Sequence, residues 1–573
     1  MRVRWLGRVP YREAWSLQRA ISRRSDDDYL LLLEHPSVYT LGAHADRSHV
    51  LIDPASVGAE LIRTDRGGDV TYHGPGQLVA YPVVSVGAGP HRGAAHVRRV
   101  EQVVIDALVS LGCPADDVGR LDGYPGVWVG VGGADGGAPA PRKICAVGVR
   151  ASRGRTLHGF ALNVAPDLAM FDHIVPCGIP DKAVTSLEAE GLVVTMAEAV
   201  DAVVTAATTA WGPVVDEARV TDGATAWAPP TTVASAEPEP APVKETVPAP
   251  VPVALVTGAG RERPLDRRLR RSGVDPAGGV AITERKPDWL RVQARMGDDY
   301  LDLQHRLRGL DLVTVCEEAG CPNIYECWSD GTATFMINGS RCTRACGFCQ
   351  VDTRHPLPLD PDEPGRVAEA VARMHLAHAV VTCVARDDLA DGGAGAFAAT
   401  IDAVRRRSPT TAVEVLISDC KGDERSLATI VDARPDVLNH NIETVARLQR
   451  AVRPSAGYAR SLTVLARSAA AGLTTKSGII LGMGEREDEV LATLTDLRAV
   501  GVDIVTIGQY LRPSTRHLPV ARWWRPEEFE SLREAGMAMG FVHVQSSPLT
   551  RSSYHAREAA STTPLPAAAG SLR

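Results

Sequence analysis

An α+β domain followed by an α/β partial (β/α) barrel, the two joined by a proline-rich linker, is the architecture this sequence predicts, and three observations predict it. At 573 residues the chain is too long for one hydrophobic core. Between residues 213 and 275 its composition shifts to Ala, Pro, Val, Thr and Glu around the stretch "SAEPEPAPVKETVPAPVPV". Repeated proline blocks regular structure and favours extended conformations, so this span reads as a semi-rigid tether separating two folded units. Beyond it, β-branched runs alternate with helical patterns, the signature of βα units on a parallel sheet.

From the N-terminus, residues 1–212 mix short strands, "DYLLLLEHPSVYTLG", "GQLVAYPVVSV", "GVWVGVG", "KICAVGVR" and "HGFALNV", with a helical run around "AAHVRRVEQVVIDALVSLG". Mixing of this kind gives an α+β domain, and no internal repeat relates it to the second unit. After the tether, "RRLRR" at Arg267–Arg271 reads either as a solvated charged tail or as a dock for an acidic partner. Residues 276–560 then carry the strand candidates "TATFMIN", "HAVVTCV", "AVEVLIS", "DVLNHNIET", "TKSGIILG", "DIVTIGQY" and "FVHVQSS". Six or seven such units build a partial barrel rather than a closed eightfold one, and the loops after its strands form the active face. Residues 561–573 read as a flexible tail.

Composition narrows the setting. Lys+Arg 62 against Asp+Glu 69 leaves a net charge of -7, which argues against a general nucleic-acid binder. No stretch reaches about 18 consecutive apolar residues, and "MRVRWLGRVPYREAW" has no apolar signal core, so a cytoplasmic protein without membrane contact is expected. Six of the 11 cysteines crowd between Cys316 and Cys349. That is no secreted disulfide framework, and in a reducing compartment such crowding points to metal.

Cys342, Cys346 and Cys349, spaced C-x3-C-x2-C in "RCTRACGFCQ" just after the first barrel strand, supply three thiolates and leave a fourth corner open. A structural zinc wants four closed ligands, so the alternative is a zinc knuckle borrowing a distant one; a 4Fe-4S cube held at three corners keeps one iron free for a ligand. A second triplet, Cys316, Cys321 and Cys327 in "CEEAGCPNIYEC", implies a second cluster. The first loop resembles that of the radical S-adenosylmethionine enzymes. Together with "ATFMINGSRCTRACGFCQVDT", "ARDDLADGG", "NHNIET" and "RSSYHA", the two triplets make residues 280–558 resemble lipoyl synthase. That resemblance implies a barrel of the radical S-adenosylmethionine type, two 4Fe-4S clusters and S-adenosylmethionine. It implies Ser553 as fourth ligand of the auxiliary cluster, and sulfur insertion at C6 and C8 of an octanoyl chain carried on a lysine. The carriers implied are lipoyl domains of 2-oxoacid dehydrogenase complexes and the glycine cleavage H protein, with an electron donor as further partner. Cys383 stands where the family usually has glycine and reads as a small buried cysteine rather than a spare ligand; Cys420 reads the same way. An iron-sulfur electron carrier is the rival, but its cysteines should close every iron.

The first unit carries "DRGGDVTYHGPGQ", "KICAVGVR", "HGFALNV" and "IVPCGI", and over residues 3–212 it resembles lipoyl (octanoyl) transferase. The fold implied is that of the biotin/lipoate protein ligases. Cys177 is then the nucleophile and Lys143 its partner, since an adjacent amine lowers a thiol's pKa and can relay protons. Octanoyl-acyl carrier protein is the implied donor. The acyl site is expected from Arg66, Gly67, Gly68, Asp69, Val70, Thr71, Tyr72 and His73, from Ala146, Val147 and Gly148, and from His158, Gly159 and Phe160. Cys113 and Cys145 read as structural. The Gly-rich insertion "GVGGADGGAPAP" before Lys143 departs from a tight strand connection. An ATP-dependent lipoate or biotin ligase is the alternative, and such an enzyme has no use for Cys177.

Overall fold

The computed structural model describes residues 1–87, 92–132, 140–175, 182–221, 262–291, 323, 324, 327 and 331–561. The first half begins with β1 (Arg2–Arg8), α1 (Tyr11–Arg24) and β2 (Tyr29–Glu34). There follow β3 (Val38–Leu41), β4 (Glu60–Arg63), β5 (Val70–His73) and β6 (Gln77–Val83). Then come α2 (Arg92–Ser110), β7 (Val118–Leu121), β8 (Tyr124–Val129), β9 (Arg142–Ser152), β10 (Arg155–Asn163), α3 (Met196–Trp211) and β11 (Asp216–Arg219). Eight strands form one sheet in the order β11-β1-β2-β6-β10-β9-β8-β7, and β4-β3-β5 form a small second sheet.

The run "YLLLLE" in β2 does not alternate, and an unbroken apolar strand means that both faces of the sheet are covered. Period-two geometry divides it. Leu30 and Leu32 join Val3, Trp5, Leu78 and Ala80 in the core beneath α2 and α3. Tyr29, Leu31 and Leu33 face the other way with Leu6, Val79 and Tyr81.

The second half opens with α4 (Pro264–Arg271) and β12 (Thr332–Ile337). It continues through α5 (Glu363–Arg373), β13 (His378–Cys383), α6 (Ala394–Arg407), β14 (Ala412–Leu416), α7 (Glu424–Asp432) and β15 (Val437–Asn439). It ends with α8 (Gln449–Val452), α9 (Tyr458–Ala470), β16 (Thr474–Leu481), α10 (Glu487–Val500), β17 (Ile504–Gln509), α11 (Pro526–Ala538), β18 (His543–Ser546) and α12 (Ala556–Ser561). The seven strands pair in parallel and in sequence order, the arrangement of a partial (β/α) barrel. No described helix is long and apolar enough to cross a membrane.

The span read as linker is folded at both ends. Asp216–Arg219 pairs with β1 because Asp216 answers Arg2 and Arg4, and α4 forms because Leu269 finds a fully buried seat amid its arginines. The halves also do not stand apart as a tether would leave them. Ala14, Leu17 and Ile21 of α1 share one apolar cluster with Ala459, Leu462 and Ala466 of α9 and Leu497 of α10. Arg4, 1% exposed, donates from Nε to both carboxylate oxygens of Asp496 at 2.8 Å and from Nη1 to Asp216 at 2.5 Å. Tyr458 donates its hydroxyl to Asp496 at 2.9 Å, Arg460 pairs with Glu13 at 2.9 Å, and Arg24 donates to the carbonyl of Ala469 at 2.9 Å. Burial raises the Asp496 carboxyl and Arg4 opposes the rise.

Removing one partner of a buried ion pair leaves an uncompensated charge, at a cost of about 3–5 kcal/mol. Arg4→Met is therefore expected to lower the unfolding free energy by that order, read as a lower denaturant midpoint, and Arg4→Met with Asp496→Leu to recover most of the loss. Equal midpoints for wild type and Arg4→Met would contradict the assignment.

Candidate active sites

Arg66, Gly68, Asp69, Thr71 and His73 of the "RGGDVTYH" run, Ala146–Gly148 of β9 and His158–Phe160 of β10 converge on one pocket, joined by Tyr11, Val79, Tyr81 and Ala161. The pleat of β5 separates the remaining expected residues. Thr71 and His73 point inward, whereas Val70 and Tyr72 point away into a small core with Tyr39 and Phe171. Gly67 does not line the pocket; its N–H donates to the carbonyl of Val149 at 3.1 Å and ties the loop to β9. A Cβ at Gly148 would lie 3.0 Å from the Gly67 carbonyl, and one at Gly159 2.1 Å from that of Ala80, so both glycines permit close strand approach.

Arg66 is anchored by Thr40, donating from Nη2 to its carbonyl at 2.6 Å and to its hydroxyl at 2.8 Å. Burial favours the neutral form of the imidazoles around it. Burial, then the charges of His35 and Arg66, holds His73 well below the usual histidine value. Burial takes His35 down to about 4; its Nδ1 donates to the Val9 carbonyl at 2.6 Å and its Nε2 accepts from the Tyr81 hydroxyl at 2.7 Å. His158 adopts a left-handed φ of 60°, held by Gln18 on its N–H and by Asp65 at 2.7 Å on Nε2. Tyr11 stacks on His73 with centroids 5.9 Å apart. The result is a pocket with largely apolar and aromatic walls, one fixed guanidinium, Arg66, and one carboxylate, Asp69.

Lys143 lies at the start of β9, 6% exposed, with its ammonium 4.7 Å from the Trp128 ring centroid. Its backbone bonds to Ala183 and Thr185, two and four residues after the segment 176–181. Cys177 lies outside the described residues, as does most of the Gly-rich insertion. Cys113 and Cys145 are buried in the core under α2, and burial pushes the Cys113 thiol up to about 11.

Cys342, Cys346 and Cys349 occupy the loop after β12, on the face formed by the C-terminal ends of the strands. Arg344 and Ala385 donate N–H groups to Cys342 Sγ at 3.4 and 3.3 Å. Arg344 clamps the loop between two strand ends, bidentate to Asp387 at 2.7 and 2.8 Å and to Asp419 at 2.6 Å. Gly347 donates to the Val452 carbonyl at 2.8 Å, and Leu518 to that of Gly347 at 2.9 Å. Burial, with Cys346 and Cys342 as neighbours, pushes the Cys349 thiol up to about 11. Their donor set fits a cluster held at three corners. Among the described residues no three ligand side chains converge on a single metal ion.

Cys316 and Cys321 lie outside the described residues. Cys327 is described, and in the same segment Asn323 donates to the Leu549 carbonyl at 2.7 Å, bringing the second triplet's stretch towards the chain end that carries Ser553. Ser553 lies in the turn before α12, its carbonyl accepting from Ala556. Cys383 ends β13 beside Cys342 and Cys420, its thiol pushed up to about 12 by burial, and Cys420 belongs to the barrel core.

Residues 10–208 match the lipoyl protein ligase A/B catalytic domain, 278–321 the N-terminal domain of lipoyl synthase, and 336–497 the radical SAM superfamily. The lipoyl synthase of Rubrobacter xylanophilus is 57% identical over 275 residues, covering 48% of this chain and 86% of that protein. The chain belongs to the lipoyl synthase family. The lipoyl synthase of Mycobacterium leprae is 55% identical over 293 residues, 51% of this chain and 93% of its own. A lipoate protein ligase from Thermoplasma acidophilum superimposes at a TM-score of 0.32 with 20% identity, over 39% of this chain and 88% of that one. This member is thus a fusion, with a ligase A/B catalytic domain ahead of its lipoyl synthase half, and both halves serve lipoate biosynthesis. A radical SAM lipoyl synthase works with a 4Fe-4S cluster and S-adenosylmethionine.

The neutral histidines set a pH dependence. His35, His96 and His440 each titrate at about 4, lowered first by burial. The unfolded chain binds protons near 6.5 that the folded one refuses, so stability is full above that value and is lost as pH falls from about 6.5 to about 4, on the order of 1.4 kcal/mol per pH unit per histidine. Denaturant midpoints at pH 7 and 5 should differ accordingly, with a smaller difference in His35→Gln. Identical midpoints at both pH values would contradict the neutral assignment.

Proposed function

We propose that the chain builds protein-bound lipoate in two steps. The first half moves octanoate from octanoyl-acyl carrier protein to a lysine of a lipoyl domain, and the second inserts sulfur at C6 and C8 of that chain. The carriers are lipoyl domains of 2-oxoacid dehydrogenase complexes and the glycine cleavage H protein, and the setting is the cytoplasm. What carries the reading is identity above 50% to lipoyl synthases in the second half, together with the largely apolar and aromatic pocket in the first.

In the first step the Cys177 thiolate attacks the thioester carbonyl and forms a new thioester, and the carrier thiol leaves with a proton. The lysine amine of the lipoyl domain then attacks, giving an amide and restoring the Cys177 thiol. Lys143 holds the proton at Nζ between these events, and a cation beside the thiol favours its thiolate form. Val79, Val147 and Phe160 are the apolar walls offered to the octanoyl chain, with Tyr11 and His73 beside them.

In the second half Cys342, Cys346 and Cys349 would hold one 4Fe-4S cluster, and Cys316, Cys321, Cys327 and Ser553 a second. With S-adenosylmethionine bound, the first supplies a primary carbon radical able to abstract unactivated hydrogens and the second supplies sulfur. Arg344, through Asp387 and Asp419, keeps the first loop in place, and an alkoxide from Ser553 would be the weakest ligand of the second site.

Mass spectrometry of a lipoyl domain incubated with octanoyl-carrier protein, S-adenosylmethionine and a reductant should show the octanoyl adduct and then the lipoyl one. Cys177→Ser should abolish the first adduct; wild-type yield from ATP and free octanoate instead would establish a ligase. Cys342→Ala should stop 5'-deoxyadenosine formation, whereas Cys321→Ala should leave it measurable and stop only sulfur insertion. Equal loss of both activities in the two variants would refute separate roles for the triplets.

A further inference from the structure

Where the halves meet they enclose a cleft of about 380 Å³, lined by Arg8, Val9, Pro10 and Glu13 on one side and by Gln449, Arg450 and the start of α9 on the other. Three independent features of this cleft call for an anion. The first turn of α9 opens onto it, and Gly457, its N-cap, offers no side chain to the free N–H groups there. Gln449 is 1% exposed, and neither its amide nitrogen nor its amide oxygen has a hydrogen-bond partner. A buried amide left so costs about 1–3 kcal/mol, which a ligand in the cleft would relieve.

The third feature is charge. Glu13, the carboxylate of the lining, is occupied by Arg460 at 2.9 Å. Arg8 has Glu34 no closer than 3.8 Å, and Arg450 pairs with no carboxylate among the described residues. Behind Arg450 stands Arg268 of the "RRLRR" run, its Nε buried without a partner. Burial and then the charge of Arg450 lower the pKa of Arg268, which places the two cations near one another.

We propose that this cleft binds a phosphate group, free or as an ester, between Arg8, Arg450, the Gln449 amide and the N-terminus of α9. The space suits a small organic ester as well as the ion itself. Because both halves line the cleft, an occupant binds only the docked arrangement and stabilises it by mass action. The cleft shares no lining residue with the pocket around Arg66 and His73.

Calorimetric titration of the intact chain with inorganic phosphate, phosphopantetheine and pantetheine tests this. Phosphate and phosphopantetheine should bind and pantetheine should not; tighter binding of the ester identifies an ester as the occupant, and equal binding identifies the free ion. Gln449→Leu and Arg450→Gln should each weaken binding about tenfold, while Arg533→Gln, at an exposed arginine elsewhere, should leave it unchanged. Absence of binding, equal binding of pantetheine, or unchanged affinity in both cleft variants would overturn the proposal. Turnover is not measured, so the result stands apart from the outcome of the lipoylation assay.

Discussion

A guanidinium shut away from water needs a fixed counter-charge, and at Arg4 that charge is brought by a helix almost five hundred residues further along the chain. Arg4 projects from β1 on the face opposite Val3 and Trp5, so in a first half standing alone it would meet solvent. Here Asp496 of α10, Asp216 of β11 and the hydroxyl of Tyr458 enclose it. One buried pair of this kind is weak evidence for stability but narrow in geometry. It fixes which face of the first sheet meets the barrel, and the apolar face of α1 follows onto α9.

This docking places α1 between two sites. Tyr11 at its start closes the first pocket, while two residues on Glu13 faces the barrel and pairs with Arg460. On the barrel side, Val452 belongs to the same apolar cluster as the α1–α9 face, and its carbonyl anchors Gly347 of the cysteine loop. Packed layers of this kind are a physical reason for the two activities to share a chain, beyond the high effective concentration that a linker alone provides.

The barrel was legible because each of its strands is a short β-branched run and its units pair in sequence order. The first pocket was legible as a block, "RGGDVTYH", but not residue by residue, since only the pleat separates His73 from Tyr72. Tyr11 and Tyr81 were missed. The signal for Tyr11 was present in the spacing Tyr11, Ala14, Leu17, Ile21, an apolar stripe at helical period. What no periodicity could tell is that Ala14, Leu17 and Ile21 of this stripe, with Glu13 buried beside them, pack against the second half. The linker was overestimated at both ends for the same reason, because Asp216 and Leu269 become ordered only through residues distant in sequence.

The most direct measurement is to cleave the purified chain within residues 235–255 and follow the products by sedimentation at decreasing concentration. If the halves are held by the Arg4–Asp496 pair and the α1–α9 face, the two pieces will sediment together, and Asp496→Ala will separate them at concentrations where the wild type holds. Pieces that part in the wild type as readily as in the variant would contradict the docked arrangement and leave a tether as the only link between the two activities.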